Sequence, residues 1–242
     1  MIATSFLAVF AHPDDETFRC GGTLALLAQR GVRVHVLTFT RGQAGSCGNP
    51  PLCTPEELPT VRERELRCAC AALGLQPLRM LDYPDGHLPE ADPEKMIAEI
   101  LAVVHAVHPQ VLLSFGQDGL SGHPDHIAAG HWVGEAFRRA EDVAALYTVA
   151  VPRSLAQALN MHQVHPVPDE TIALKVDVSS VWETKLAAIR CHATQVSSSP
   201  MMNAPVERQQ LFFRREYFVR ASTHPIAGDF MPEMLKDMCH ER

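Results

Sequence analysis

Short runs of apolar and β-branched residues alternate along the chain with segments whose apolar residues recur at helical spacing. The runs predict seven strands, at residues 5–11, 32–40, 78–83, 111–115, 145–151, 172–178 and 216–221. The helical segments lie between them, at residues 22–31, 61–74, 93–109, 126–140 and 181–195. Strands that alternate with helices are typical of a mostly parallel sheet with helices on both faces. The pattern therefore predicts a single-domain, Rossmann-like α/β fold over residues 1–242.

Two segments depart from this alternation. Residues 152–170 are rich in Pro, His and polar residues, and we interpret them as an excursion between two strands rather than as a linker to a second domain. The tail from Ser222 to Arg242 is weakly patterned, which predicts either a short helix or a disordered end. Neither segment changes the prediction of one domain.

Composition and charge narrow the classes of protein. The chain has 242 residues, of which 46% are hydrophobic, and this is enough to build a sizeable core. The formal net charge is −7 and no block is rich in Lys or Arg, so we expect no nucleic-acid partner. No segment approaches the ~18 uninterrupted apolar residues of a membrane span, and the amino terminus lacks the basic flank and cleavage site of a signal peptide. We therefore expect a cytoplasmic protein that does not engage a membrane.

The seven cysteines are odd in number and scattered, without the paired spacing of a zinc knuckle or a disulfide framework. We expect reduced and mostly buried thiols. Cys47 and Cys53 bracket a loop that contains proline and could bridge under oxidation, although nothing in the sequence requires it.

Polar motifs follow the first four predicted strands. They are AHPDDE at residues 11–16, TRGQAG at 40–45, DYPDG at 82–86 and SFGQDGLSGHPDH at 114–126. In an open parallel sheet, ligands bind beyond the carboxyl ends of the strands, near the switch in strand order. We therefore expect these four loops to open onto the same edge of the sheet.

The tripeptide HPD occurs in the first of these loops and again in the fourth. A helix cap explains one aspartate, but two adjacent acids, a third at Glu16 and a histidine exceed what a cap requires. Imidazole and carboxylate ligands without thiolate match a catalytic zinc site, which takes three protein ligands and leaves a position for water. The two junctions would bring together six side chains: His12, Asp14, Asp15, His123, Asp125 and His126.

With these motifs the chain resembles the LmbE-like, PIG-L-type family of zinc-dependent N-acetylglucosamine deacetylases. The resemblance spans most of the chain and includes TRGQAG and YPDG. It also includes an R-x-x-E-L pattern that begins at Arg62 and ends in Leu-Gly at 73–74. A K-x-x-A-x-x-x-H-x-x-Q pattern runs from Lys185 to Gln195.

The resemblance implies a metal site and a general base. His12 and Asp15 of the first motif and His126 of the second are the implied ligands. The implied cofactor is Zn²⁺, with Fe²⁺ or another divalent ion as an alternative. Asp14 is then the base that takes a proton from the attacking water.

Further roles are implied for the second motif. His123, as an imidazolium, would stabilise the negative charge that builds on the carbonyl oxygen. Either His123 or protonated Asp14 would pass a proton to the departing amine. Asp125 is the expected partner that holds His123 in orientation.

Three more residues are implied to bind substrate. Arg62 and Asp85 match positions that meet the sugar hydroxyls in this family, and His192 is expected at the same site. From the residues alone, Arg62 could instead lie on a solvated helix face, Asp85 could serve a β-turn, and His192 could be a hydrogen-bonded histidine at a helix end. Some family members have a tyrosine where this chain has Ser121, so help from such a tyrosine is not expected here.

The implied function is hydrolysis of the N-acetyl amide of an N-acetylglucosamine derivative, such as a glucosaminide of malate or inositol that leads to a thiol cofactor. An amidase of related glucosaminyl conjugates and a non-catalytic zinc or sugar-binding protein remain as alternatives. A dinucleotide-binding module is disfavoured, because no G-x-G-x-x-G turn follows the first strand and the acids there would repel a pyrophosphate. The expected partner is a small amino sugar, selected by the loops at 41–58 and 152–170, and the resemblance is compatible with a homo-oligomer.

Overall fold

A seven-stranded sheet forms the centre of the molecule. The computed structural model describes residues 4–197, 199, 201–224 and 229–238. The strands are β1 (Ser5–Phe10), β2 (Arg33–Thr40), β3 (Arg79–Tyr83), β4 (Val111–Phe115), β5 (Ala145–Ala150), β6 (Leu174–Asp177) and β7 (Arg215–Thr223). Their spatial order is β3-β2-β1-β4-β5-β7-β6. All seven predicted strands are therefore confirmed.

The first five strands are parallel, whereas β7 runs antiparallel to both β5 and β6. β1, β4 and β5 are buried along their whole length. Burial on both faces explains why these strands are continuous apolar runs without a polar alternation. The strand order switches at β1, whose neighbours are β2 and β4.

Ten α-helices lie within the described parts of the chain. They are α1 (Asp15–Phe18), α2 (Gly21–Gln29), α3 (Leu58–Ala72), α4 (Pro93–Val107), α5 (Pro124–Arg139), α6 (Arg153–Ala158), α7 (Trp182–Cys191), α8 (Ala193–Val196), α9 (Val206–Phe213) and α10 (Met231–Leu235). The five predicted helices correspond to α2, α3, α4, α5 and α7 with α8. The pattern did not predict α1, α6 or α9. None of the described helices combines the length and apolar character needed to span a lipid bilayer.

Residues 152–170 return to the carboxyl edge of the sheet. They contain α6, and Val167 N–H donates to Val151 O at 2.9 Å, so the segment closes beside the end of β5. His165 N–H donates to Leu120 O at 2.7 Å, which joins the segment to the loop after β4. The segment therefore lies between two strands, β5 and β6, of the same sheet.

In the carboxyl-terminal tail, β7 extends to Thr223 and α10 follows. Met231 and Leu235 of α10 are fully buried, so this helix packs into the core. Of the two alternatives predicted for the tail, a short helix is found, while residues 225–228 and 239–242 lie outside the described residues.

A disulfide corrects the expectation of reduced cysteines. Cys68 of α3 and Cys191 at the end of α7 are bonded, with 5.7 Å between their Cα atoms and 123 positions between them in sequence. Cross-links across long loops typically stabilise a fold by about 2–4 kcal/mol. The two thiols meet only because α3 packs on α7, so their spacing in the sequence could not predict the disulfide. Cys47 and Cys53 are not joined.

Candidate metal centre

The loops after β1, β3 and β4 meet at one edge of the sheet, as predicted. The loop after β1 turns sharply at Asp14 and enters α1. The second HPD sequence starts α5, where Pro124 occupies the first turn and His123 is the N-cap. His123 Nδ1 accepts from Asp125 N–H at 3.2 Å. The same tripeptide therefore caps a helix and precedes an expected metal ligand, His126.

The three expected ligands face one another. His12 Nδ1 lies 3.2 Å from His126 Nε2. The two Asp15 oxygens lie 3.6 Å from His12 Nδ1 and 3.4 Å from His126 Nε2. Tetrahedral zinc holds N and O ligands at ~2.0–2.2 Å, so ligand atoms are about 3.3–3.6 Å apart. The donor types and these pairwise distances fit a zinc-like divalent ion, with a different Asp15 oxygen nearest to each imidazole.

The imidazole of His123 belongs to the same cluster. Nitrogen atoms of His12, His123 and His126 all lie within 4.8 Å of one another. Burial and the neighbouring imidazoles of His12 and His126 lower the pKa of His123 below its ordinary value. A neutral ring whose Nδ1 accepts from a backbone N–H carries its proton on Nε2. His123 can therefore donate a hydrogen bond without being an imidazolium, which changes the form expected from the sequence.

The outer nitrogen of His12 is held by two carboxylates. Nε2 lies 2.9 Å from Asp85 Oδ1 and 3.1 Å from Asp125 Oδ2. Burial opposes the charged form of His12, but hydrogen bonds to Asp125, Asp15 and Asp85 raise its pKa to about 12. Because two acceptors face Nε2, this atom keeps its proton, and a bound cation would displace the second proton from Nδ1 and leave its lone pair for coordination.

The carboxylate of Asp125 therefore corrects an expectation. It accepts from Gly86 N–H at 2.8 Å and from Leu88 N–H at 3.1 Å, in addition to its contact with His12. The sequence led us to expect that this carboxylate orients His123. The structure places it on His12, because the loop after β3 supplies donors that turn the side chain away from His123.

The carboxylate of Asp85 supports the same ligand. One oxygen faces His12 and the other accepts from Ala44 N–H at 2.9 Å. Asp85, in the loop after β3, thereby links this loop to the loop after β2 and to the expected ligand His12. Its predicted contact with sugar hydroxyls stays a prediction.

His126 is oriented from its other side. His126 Nδ1 is 3.1 Å from Gly119 O, and its ring stacks on Phe115 with 4.0 Å between ring centroids. The carbonyl requires a proton on Nδ1, so the Nε2 lone pair is free for a metal ion.

Asp14, the expected base, has an unusual backbone conformation. Its φ is 104°, in the left-handed region that residues with a side chain rarely adopt. The side chain is 21% exposed, and burial of the surrounding site raises the pKa of its carboxyl to about 7 although Arg62 lowers it. A partly exposed carboxylate next to a metal ligand can accept a proton.

The guanidinium of Arg62 holds this turn and is only 3% exposed. It donates to Pro13 O, to Asp14 Oδ2 at 3.0 Å and to Gly42 O at 2.8 Å. A Cβ at Gly42 would lie 2.0 Å from Arg62 Nη1, which explains why the first of the two glycines in TRGQAG is a glycine. Arg62 is therefore not on a solvated helix face, and its expected contact with sugar hydroxyls stays a prediction.

His192 is fully buried, with Nε2 2.6 Å from Glu16 Oε1. A buried imidazole paired with Glu16 matches the alternative of a hydrogen-bonded histidine at a helix end. The sequence analysis noted Glu16 as a third acid in the first motif but assigned it no role. Its partner lies 176 positions away, and no local pattern could have indicated it.

Replacing Asp125 with Asn should weaken metal binding by about 10–100-fold, the usual effect of removing an outer partner of a ligating histidine. Asn cannot accept from His12, Gly86 and Leu88 with two carboxylate oxygens. Competition with a chromophoric chelator measures the dissociation constant. Asp92→Asn, at the remote N-cap of α4, is the matched control. Unchanged metal affinity together with reduced turnover would instead support a role of Asp125 on His123.

The fold and the centre define a class of protein. A mostly parallel α/β sheet carries two histidines and an aspartate, spaced for a divalent ion, at the carboxyl ends of its strands. A carboxylate that can act as a base lies next to them. This combination is typical of a metal-dependent hydrolase.

Comparison with known proteins identifies the family. The model of the GlcNAc-PI de-N-acetylase (PIG-L) family matches residues 7–137. The chain is 33% identical to 1D-myo-inositol 2-acetamido-2-deoxy-alpha-D-glucopyranoside deacetylase of Acidothermus cellulolyticus, over 93% of this chain and 91% of the relative. It is 34% identical to the probable N-acetyl-alpha-D-glucosaminyl L-malate deacetylase 2 of Bacillus cereus, over 79% and 84% of the two chains. The protein belongs to the PIG-L family.

A solved structure shows the same fold. The N,N'-diacetylchitobiose deacetylase of Pyrococcus horikoshii superposes with a TM-score of 0.67 at 20% identity. The match covers 93% of this chain and 88% of that chain. The likeness at this identity is one of architecture, and the chemistry rests on the residues of the centre.

Proposed function

We propose that the protein is a zinc-dependent hydrolase that removes the N-acetyl group from an N-acetylglucosamine derivative. The observation that carries the proposal is the convergence of His12, Asp15 and His126, whose nearest ligand atoms lie 3.2 to 3.6 Å apart, with the partly exposed carboxylate of Asp14 beside them. A purely structural site would fill its coordination shell with protein ligands and would need no base. The arrangement therefore supports catalysis over a storage or scaffold role.

Bound zinc would polarise the acetamide carbonyl and lower the pKa of the attacking water from ~15.7 to roughly 7. Asp14 accepts the proton of this water, and Arg62 keeps the carboxylate in place. His123 donates from Nε2 to the developing negative charge on the carbonyl oxygen. Protonated Asp14 then passes this proton to the departing amine, because a neutral His123 carries only the Nε2 proton that it donates to the oxyanion.

The names of the relatives support an N-acetylglucosaminide of inositol or malate as the substrate. The amide bond to acetate is common to both, whereas the group at the anomeric carbon differs. We assign selection of that group to the loops at 41–58 and 152–170, of which the second closes beside the loop that carries His123. An amidase of related glucosaminyl conjugates would use the same chemistry on a different acyl group.

Acetate release from a panel of N-acetylglucosaminides tests the proposal. The panel contains the inositol, malate and simple alkyl glycosides, and each is measured with the protein as purified, after chelation, and after addition of Zn²⁺ or Fe²⁺. We expect acetate from at least one member, loss on chelation and recovery with one of the metals. Release of a different acyl group would favour the amidase, and sugar binding without any hydrolysis would favour the non-catalytic alternative.

A further inference from the structure

Glu16 connects the proposed base to the carboxyl-terminal part of the chain. Its carboxylate is fully buried. Oε2 accepts from Asp14 N–H at 2.9 Å, and Oε1 lies 2.6 Å from His192 Nε2. A buried carboxylate that accepts two hydrogen bonds of this kind restricts both groups that donate to it. Glu16 is thus attached to the backbone of Asp14 and to the side chain of His192.

The backbone of Asp14 requires such support. A left-handed conformation at a residue other than glycine costs about 1–3 kcal/mol and persists only where its surroundings determine it. The Asp14 carbonyl accepts from Thr17 N–H at 3.0 Å and from Thr17 Oγ1 at 2.8 Å. The side chain is held by Arg62, and the remaining polar group, the N–H, is held by Glu16.

His192 is well placed to keep Glu16 in this orientation. It follows Cys191, which is bonded to Cys68 of α3. The adjacent Thr194 donates from both N and Oγ1, at 2.7 Å each, to the buried carboxylate of Glu65 on the same helix. The turn that carries His192 is therefore joined to α3 by a covalent bond and by two hydrogen bonds.

We propose that Glu16 and His192 are positioning residues for the reaction, which act by holding the Asp14 backbone in its left-handed conformation and so direct the Asp14 carboxylate. This inference rests on the proposed function, because it assigns the purpose of the arrangement to the base of that reaction. Neither side chain touches a ligand of the metal centre in the described contacts. Their loss should therefore alter proton transfer without removing the metal or the substrate site.

His192→Phe tests the inference, because it keeps the ring and removes the donor to Glu16. We expect kcat to fall by about 10–100-fold, the effect of a base displaced by about 1 Å, with KM and metal content within about twofold of the parent protein. His192→Gln places an amide N–H near the position of Nε2 and should recover about tenfold of the loss. His35→Phe, near the amino end of β2, is the matched control for exchanging an imidazole in the sheet region.

Hydrogen exchange of the Asp14 amide, followed by NMR on ¹⁵N-labelled protein, gives a second readout that needs no turnover. We expect faster exchange at Asp14 in His192→Phe and restored protection in His192→Gln. If the parent protein releases no acetate from any substrate, the proposed function fails while the exchange result still decides the positioning claim. The inference is overturned by an unchanged Asp14 exchange rate, by a rise in KM with kcat unchanged, or by an activity loss that Gln does not reduce and that follows the loss of folding stability.

Discussion

Replacing Asp14 with Asn should lower kcat for acetate release by about 10²–10⁴-fold, the usual contribution of a general base. The amide oxygen of Asn is not basic enough to take a proton from water, but it can still accept from Arg62. Asn also tolerates the left-handed conformation better than most residues, so the φ of 104° at this position is retained. Metal content should remain at the level of the parent protein.

Steady-state kinetics and metal analysis of the same preparation separate these quantities. The matched control is Asp142→Asn, an exposed aspartate in the turn before β5, which should leave both unchanged. Unchanged turnover in Asp14→Asn would exclude Asp14 as the base. Loss of the metal together with the activity would show instead that Asp14 is needed to build the centre.

Replacing His126 with Ala should remove the metal and lower turnover by at least about 10³-fold. A bound cation stabilises the transition state by several kcal/mol, and each ~1.4 kcal/mol corresponds to a tenfold change in rate. His126 supplies one of three expected ligand atoms, and Gly119 O and Phe115 fix the orientation of its ring. Added zinc should not restore activity at concentrations that saturate the parent protein.

His131→Ala is the control on the same helix, because His131 is exposed and lies beyond the first turn of α5. Metal per chain and acetate release should be those of the parent protein. Asp15→Ala should behave as His126→Ala does, since its two oxygens face both ligating imidazoles. A His126→Ala protein that retains one metal ion and full turnover would contradict the assigned ligand set.

These variants also separate the ligands from their supports. Loss of His126 or Asp15 changes whether the metal binds, loss of Asp125 changes how tightly it binds, and loss of His192 changes only how fast the reaction proceeds. The expected effect on metal binding falls in this order, because Asp125 contacts the ligand His12, whereas His192 reaches Asp14 only through Glu16. Each class therefore has a different measurable signature.

The strands, the sheet edge and the two HPD junctions could be predicted from the amino-acid sequence. Strand β1 is a continuous apolar run because both of its faces are buried, and β5 is so for the same reason. Parallel strands end at one edge, so motifs that directly follow them must converge there. The comparisons confirm the resemblance of those motifs to a family. The ligand set and the base, which that resemblance implied, stay predictions.

The supports of the centre were decided by tertiary structure. The partner of Asp125 depends on where the loop after β3 places its N–H groups, and the partner of Glu16 is contributed by the junction of α7 and α8, 176 positions away. The disulfide likewise depends on the packing of α3 against α7. Spacing along a chain determines which face of an element a residue occupies. The direction of a loop side chain, and its contact with a residue more than a hundred positions away, are determined only when the elements pack together.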